Sequence, residues 1–335
     1  MTVNHVLSLA EVGAENLSYL VDRSAAFAAG DDGGARPLEG RIVGVYFRGT
    51  STRTRTSFTV AAMRLGAGII TYGPNDLQIA TGETVPDTAR VMSAHLDALV
   101  VRTNGPIEEM RAFAAQDEMA VVNAMSKNEH PTQAVADLST LKENFGRLDG
   151  LHVLYVGEGN NTAAALALAV GLTPGMRLTL VTPEGYGLDA QILEAARDLA
   201  ARHGSEVEEH HDVDSLPRDV SAVYATRWQT MGEPKSDPDW RRKFEPYSVT
   251  RSLMERVSKP SGTIFMHDLP AVRGADVTDE VLDGPQSRAF RQARHKLYSA
   301  MAVLEWCVVG RSRACAPCHF TATTANPVVT PSALR

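Results

Sequence analysis

Short apolar runs that read as strands alternate with segments of helical period along most of this chain, and they do so in two series. The first series holds Ile42–Phe47, Gly68–Tyr72, Ala98–Arg102 and Met119–Asn123, and between its first two runs Phe58, Ala61, Ala62 and Leu65 share one helical stripe. The second begins at Gly150 and holds His152–Val156, Arg177–Val181, Ala222–Ala225 and Thr263–His267. Strands separated by helices pair in parallel through crossovers. The expected fold class is therefore α/β, with two domains that each carry a mainly parallel sheet flanked by helices. A length of 335 residues allows each half its own core. Residues 130–145 read as a long helix between the series, and Phe290–Val308 as a last helix.

The first strand runs into Tyr46–Phe58, YFRGTSTRTRTSF, which holds Arg48, Arg53, Arg55 and six Ser or Thr hydroxyls. Where a strand ends and a helix begins, first-turn N–H groups and the helix dipole favour an anion, and Ser51, Thr52 and Thr54 add donors. Arg53 can grip two phosphate oxygens with its planar fork. Phosphate suits this composition, and a capped, solvated helix start is the alternative. The chain as a whole is no polyanion binder: 33 Lys and Arg stand against 40 Asp and Glu, a net charge of -7. An anion site must be local, and nucleic acid is not an expected partner. Arg102 ends a strand and His130-Pro131-Thr132-Gln133 opens a helix, so both are expected at the strand C-terminal edge, where open α/β sheets bind ligands.

Other features carry less. No apolar run reaches membrane-spanning length and no basic-plus-apolar leader opens the chain; with three cysteines, a cytoplasmic protein is expected, with no membrane span and no structural disulfides. Cys315-Ala316-Pro317-Cys318-His319 has the spacing of a c-type haem attachment motif, but that chemistry follows export, and zinc would need ligands beyond one cysteine pair. The same lack of a leader makes Asn160-Asn161-Thr162 idle as a glycosylation site. Residues 311–335, rich in Ala, Thr and Pro without periodicity, read as a loosely ordered tail. Gly157-Glu158-Gly159-Asn160-Asn161 follows a strand and opens a helix, as in an NAD-dependent dehydrogenase. The third glycine and the acidic residue after the second strand are missing, however: Thr162 and Val181-Thr182-Pro183 stand there.

Together, Ser51-Thr52-Arg53-Thr54-Arg55, Arg102, His130-Pro131-Thr132-Gln133 and Leu269-Pro270 closely resemble the carbamoyl phosphate motifs of the aspartate and ornithine carbamoyltransferases, in a likeness running from about Leu38 to Glu305. Asp87-Thr88-Ala89-Arg90, Met231-Gly232-Glu233 and the run from Asp276 to Pro285 bring it nearest the ornithine branch. The resemblance implies a carbamoyl phosphate domain, residues 1–135 joined by the last helix at about 290–310, and an amino-acceptor domain, residues 150–289. It implies homotrimers with sites between subunits, and a reaction that needs no metal or organic cofactor. By resemblance, Ser51, Thr52, Arg53 and Thr54 hold the phosphate; Arg102, His130 and Thr54 contact the carbamoyl oxygen; and Gln133 and the Leu269 carbonyl take the carbamoyl amide. Lys296 stands where the ornithine branch has Arg, and Gln78 would reach a neighbouring subunit's site, its alternative being a solvated loop residue. A catalytically silent binding protein is disfavoured while Arg53, Arg102, His130 and Gln133 are all present.

The acceptor side departs from both branches. Asn161 matches an asparagine that touches the acceptor, with a helix cap as its alternative. Where the ornithine branch has Asp, three residues and Ser-Met-Gly, this chain has Thr226-Arg227-Trp228-Gln229-Thr230-Met231-Gly232. Thr226 replaces the ammonium-binding Asp, whereas Arg227 and Gln229 resemble the carboxylate-binding Arg and Gln of the aspartate branch; a solvated strand end is the alternative for Arg227. Asp268 replaces a Cys of the ornithine branch and either meets the acceptor or pairs with Lys296. Plain aspartate is disfavoured, because the loop Ile79–Glu83 lacks the lysine of that branch and Asn161–Ala164 lacks its arginine. The expectation is a carbamoyltransferase of specialised metabolism acting on a shorter or modified diamino acid. Ornithine carbamoyltransferase, making citrulline in arginine metabolism, is the runner-up.

Overall fold

The structure, a computed structural model, describes residues 3–31, 36–229, 234–260 and 262–311. In the first half α1 (Leu9–Ala28), β1 (Ile42–Phe47), α2 (Arg53–Leu65), β2 (Gly68–Tyr72), α3 (Val85–Ser93), β3 (Ala98–Arg102), α4 (Ile107–Ala114) and β4 (Ala120–Met125) follow in turn, and α5 (Pro131–Phe145) leads out. The second half holds β5 (His152–Val156), α6 (Asn161–Gly171), β6 (Arg177–Val181), α7 (Ala190–His203), β7 (Glu206–His210), β8 (Ala222–Ala225), α8 (Trp240–Phe244), α9 (Arg251–Val257), β9 (Ile264–His267), α10 (Asp279–Leu282) and α11 (Ala289–Val309).

The strands form two sheets, ordered β2-β1-β3-β4 and β7-β6-β5-β8-β9, with every pair of neighbours parallel. Central strands β3 and β5 are buried at every residue, which is why they read as unbroken apolar runs. Strand β7 was not foreseen. It lies at the sheet edge with only Val207 buried, so Glu206, Glu208 and Glu209 leave no apolar run to mark it. Helix α5 begins on Pro131 and stops at Gly146, whose φ of 72° suits the left-handed cap.

Helix α11 packs on α1, α2 and α5, and α5 packs on α6. One apolar cluster therefore runs through both halves, joining Val45, Val100 and Leu138 to Tyr155, Leu166 and Met301. A nearly buried pair fastens α1 to α11: Arg23 Nε and Nη2 donate to Glu305 Oε2 and Oε1 at 2.6 and 3.1 Å. Glu305→Ala would remove the carboxylate that takes two of the guanidinium's hydrogen bonds and is expected to cost about 3 kcal/mol. The check is a lower urea midpoint at unchanged m-value. A loss below about 1 kcal/mol would show the pair to be dispensable.

Strand order positions the rest. In the first sheet the chain leaves β1 toward β2 on one side and reaches β3 on the other, so a crevice opens between the ends of β1 and β3, where Phe47 pairs with Arg102. In the second sheet the same reversal lies between β5 and β8, where Val156 pairs with Ala225.

Candidate active site

The loops from these two crevices meet around a cavity of ≈ 220 Å³. From the first half come Thr50, Ser51, Thr52, Arg53, Thr54, Arg102, His130 and Gln133; from the second come Asn160, Asn161, Thr162, Thr226, Arg227, Gln229, Asp268, Leu269 and Pro270, and Lys296 from α11 completes the wall. Arg53, Arg102, Arg227 and Lys296 face one carboxylate, Asp268, so the wall is cationic in a chain of net charge -7.

Helix α2 starts at Arg53, and the Thr52 hydroxyl makes no capping hydrogen bond to it. Of the three arginines in this stretch only Arg53 reaches the wall. Arg48 is held by Tyr46 and Glu109, each at 2.8 Å, and the Arg55 guanidinium lies 5.0 Å over the Phe47 ring. Arg102 Nη1 donates to Thr54 Oγ1 at 3.1 Å, tying the β1–α2 turn to the end of β3. Burial, then the neighbouring Arg53, brings Arg102 down to about 10, opposed by Asp268, so it stays cationic at neutral pH. Burial likewise lowers Arg53, again opposed by Asp268. His130 is buried at the head of α5; burial, with Lys296 and Arg102 beside it, pushes its imidazole well below the ordinary range. A neutral ring that can donate one N–H results.

On the other side, Asn160 caps α6, accepting from Thr162 N at 2.9 Å and Ala163 N at 3.2 Å. The helix-cap alternative for Asn161 is thereby excluded: its side-chain amide donates to Ser126 O at 2.8 Å across the two halves. The two glycines have structural causes: a Cβ on Gly159 would stand 2.3 Å from backbone atoms of Gly187 and Leu188, and Gly157 holds a φ of 135°. Asp268 accepts from Thr162 Oγ1 at 3.0 Å and from Thr226 Oγ1 at 3.2 Å. Direct pairing of Asp268 with Lys296 is not found among the described residues; the Lys296 ammonium donates instead to Gln133 Oε1. Leu269 holds a left-handed φ of 54° and donates its N–H to His267 Nδ1 at 2.8 Å, while His267 Nε2 meets Asp276 Oδ2 at 2.7 Å.

Gln78 is not on this wall. It begins an exposed helical turn, Gln78–Thr81, and its Oε1 accepts from Thr81 Oγ1 at 2.7 Å. Thr230 and Met231 lie outside the described residues, as do Cys315 and Cys318. The chain just after that segment is fastened by Lys235, which pairs with Glu158 and stands 4.7, 5.0 and 5.5 Å from the ring centres of Tyr186, Phe244 and Trp240. Asp137, Tyr224 and Gln292, buried behind the wall, were not singled out from the sequence. The four-residue spacing of Gln133 and Asp137 on one helix was the available signal.

Residues 4–143 match the carbamoyl-P binding domain, and residues 149–307 the Asp/Orn binding domain, of the aspartate/ornithine carbamoyltransferases. An ornithine carbamoyltransferase of Caldicellulosiruptor saccharolyticus is 36% identical over 311 residues, covering 92% of this chain and 100% of that protein. One of Symbiobacterium thermophilum is 41% identical over 268 residues, covering 80% and 85%. Among solved structures, the ornithine carbamoyltransferase of Pyrococcus furiosus superposes with a TM-score of 0.85 at 34% identity, covering 93% of this chain and 99% of that one. That of Gloeobacter violaceus gives 0.81 at 34% identity, covering 92% and 100%.

Proposed function

The chain belongs to the aspartate/ornithine carbamoyltransferase family, and from that premise we propose that it carbamoylates an amino acid whose second cationic group lies closer to the reacting amine than in ornithine. The observation that carries the proposal is the seat of the acceptor-side carboxylate. Thr226, where the ornithine branch has Asp, hydrogen-bonds at 3.2 Å to Asp268, where that branch has Cys. The negative charge is thus carried on the β9 side, near enough to Arg53, Arg102 and Lys296 to act on all three.

In this reading Ser51, Thr52, Arg53 and Thr54 hold the phosphate at the start of α2. Arg102, neutral His130 and the Thr54 hydroxyl surround the carbamoyl oxygen; Gln133 and the Leu269 carbonyl take the carbamoyl amide, with Lys296 beside them. A neutral amine attacks the carbamoyl carbon, and the tetrahedral oxyanion is met by donors already in place. The bond to the phosphate oxygen breaks, and the amine proton leaves with the phosphate. Catalysis is mostly orientation and charge stabilisation.

Asp268 sets the acceptor. An alkyl amine pays roughly 4.6 kcal/mol to be neutral at pH 7, and a carboxylate beside the reacting nitrogen would raise that cost. Asp268 therefore suits a second cationic group of a short acceptor, with Arg227 and Gln229 on its carboxylate and Asn161 beside them. Ornithine is the second reading, favoured by the names of the relatives. Incubation with labelled carbamoyl phosphate and a panel of diamino acids of graded length tests the proposal. Transfer to ornithine and to no shorter amine would sink it.

The site is also proposed to be shared between subunits of a homotrimer, with Gln78, exposed on this chain, acting in a neighbour's cavity. Mixing an inactive Gln78→Ala variant with an inactive Arg53→Ala variant is expected to restore some activity, because a mixed interface can hold one intact composite site. No recovery after verified subunit exchange would leave Gln78 a solvated turn residue.

A further inference from the structure

We propose that Asp137 is a positioning residue, fixing the Gln133 amide from behind the cavity and adding, after Asp268, to the negative charge that favours the Lys296 ammonium at the carbamoyl end of the site. This rests on the reading of the cavity as a carbamoyl phosphate site.

Asp137 lies one turn after Gln133 on α5 and is 0% exposed. Its Oδ1 accepts from Gln133 Nε2 and Gln292 Nε2, both at 2.7 Å, and its Oδ2 from the Tyr224 hydroxyl at 3.1 Å. Burial pushes this carboxyl up to about 7, and the hydrogen bonds from Gln133 and Gln292 oppose that shift. Gln133 Oε1 accepts in turn from Lys296. The amide therefore sits between an anion on its nitrogen and a cation on its oxygen. Flipped, it would set its NH2 against the ammonium and its oxygen against the carboxylate, so one orientation is enforced. Gln292 extends the network, because its Oε1 accepts the His267 N–H at 2.8 Å and His267 receives the Leu269 N–H. Both groups assigned to the carbamoyl amide, Gln133 and the Leu269 turn, hang on the same carboxylate.

The charges fix the sign of a test. Lys296 faces Asp268 and Asp137, which favour its ammonium, and Arg102 and Arg53, which disfavour it, with neutral His130 alongside. Asp137 faces Lys296, Asp268 and the phenols of Tyr224 and Tyr155. Burial pushes Lys296 down and Asp137 up, and each charge restrains the shift of the other. Without Asp137, Lys296 keeps its burial and both guanidiniums against it, with only Asp268 in its favour. It then loses its proton at lower pH. Binding that needs the ammonium is complete below its pKa and lost as pH rises through it, so the alkaline limb of binding moves down.

The test is calorimetric titration of the full-length protein with carbamoyl phosphate between about pH 6.5 and 9, comparing wild type, Asp137→Asn and Tyr224→Phe. Asp137→Asn is expected to move the alkaline limb down by about one pH unit and to weaken binding about tenfold at the alkaline end. Tyr224→Phe removes one donor from the carboxylate and is expected to move the limb the same way by less; it decides the matter alone if Asp137→Asn does not fold. Binding weakened equally at every pH would mean a merely structural role and overturn the proposal, as would an unshifted limb in both variants. A wild type that does not bind carbamoyl phosphate would overturn the reading of the cavity itself, and this inference with it.

Discussion

Arg53→Ala is expected to weaken carbamoyl phosphate binding by about 2–4 kcal/mol, roughly 30- to 1,000-fold in affinity. Arg53 is the first residue of α2, so its guanidinium stands beside the unpaired N–H groups of that helix and can close on two oxygens of one phosphate. Arg102 and Lys296 would remain in the variant, but Arg102 is already tied to Thr54 and Lys296 to Gln133, so neither can take over the place. Arg53→Lys should recover only part of the loss, since a point charge restores attraction without the two-pronged grip. Calorimetry on the purified variant is the check, and wild-type affinity would refute the phosphate clamp.

The first half of this site was legible because its residues follow backbone rules. A strand-end run of Ser, Thr and Arg before a helix, an arginine ending a buried strand, and a His-Pro pair opening a helix all fall on one sheet edge once the strands are placed. Of the three arginines the sequence reading singled out Arg53, and folding supplies the physical difference by turning Arg48 to Glu109 and Arg55 to Phe47. Strand β7 stayed hidden because an edge strand with glutamates on its exposed positions has no apolar period. The acceptor side was the least legible. Thr226 and Asp268 lie 42 residues apart and read as two separate departures; their hydrogen bond joins them into one unit across the ends of β8 and β9. Likewise Asn160 and Asn161 are equivalent as letters, and only the start of α6 divides them into a helix cap and an amide that donates to Ser126 across the two halves.

That coupling sets the second large effect. Thr226→Asp, Asp268→Cys installs the two groups that the resemblance assigns to the ornithine branch and is expected to raise kcat/KM for ornithine by about tenfold to a hundredfold, a few kcal/mol of transition-state binding at most. The two changes must be made together. Thr226→Asp alone would set a second carboxylate in hydrogen-bonding distance of Asp268, where two like charges disfavour each other's ionisation, and Asp268→Cys alone leaves no carboxylate at either strand end. Neither single variant should gain on ornithine, so the pair should show strong non-additivity. Arg227 stays on the cavity wall in the double variant and is expected to limit the gain. Additive gains from the two single variants would show that the residues act separately.

The most direct test of the proposed acceptor is wild-type kcat/KM at saturating carbamoyl phosphate, measured for ornithine and for diamino acids one and two methylenes shorter. A charge held at Asp268 predicts that a shorter acceptor exceeds ornithine by about tenfold or more. Ornithine used with ordinary enzymatic efficiency, about 10⁴ M⁻¹s⁻¹ or above, and better than every shorter amine, would contradict it and leave Thr226 and Asp268 as a different way of holding the same substrate.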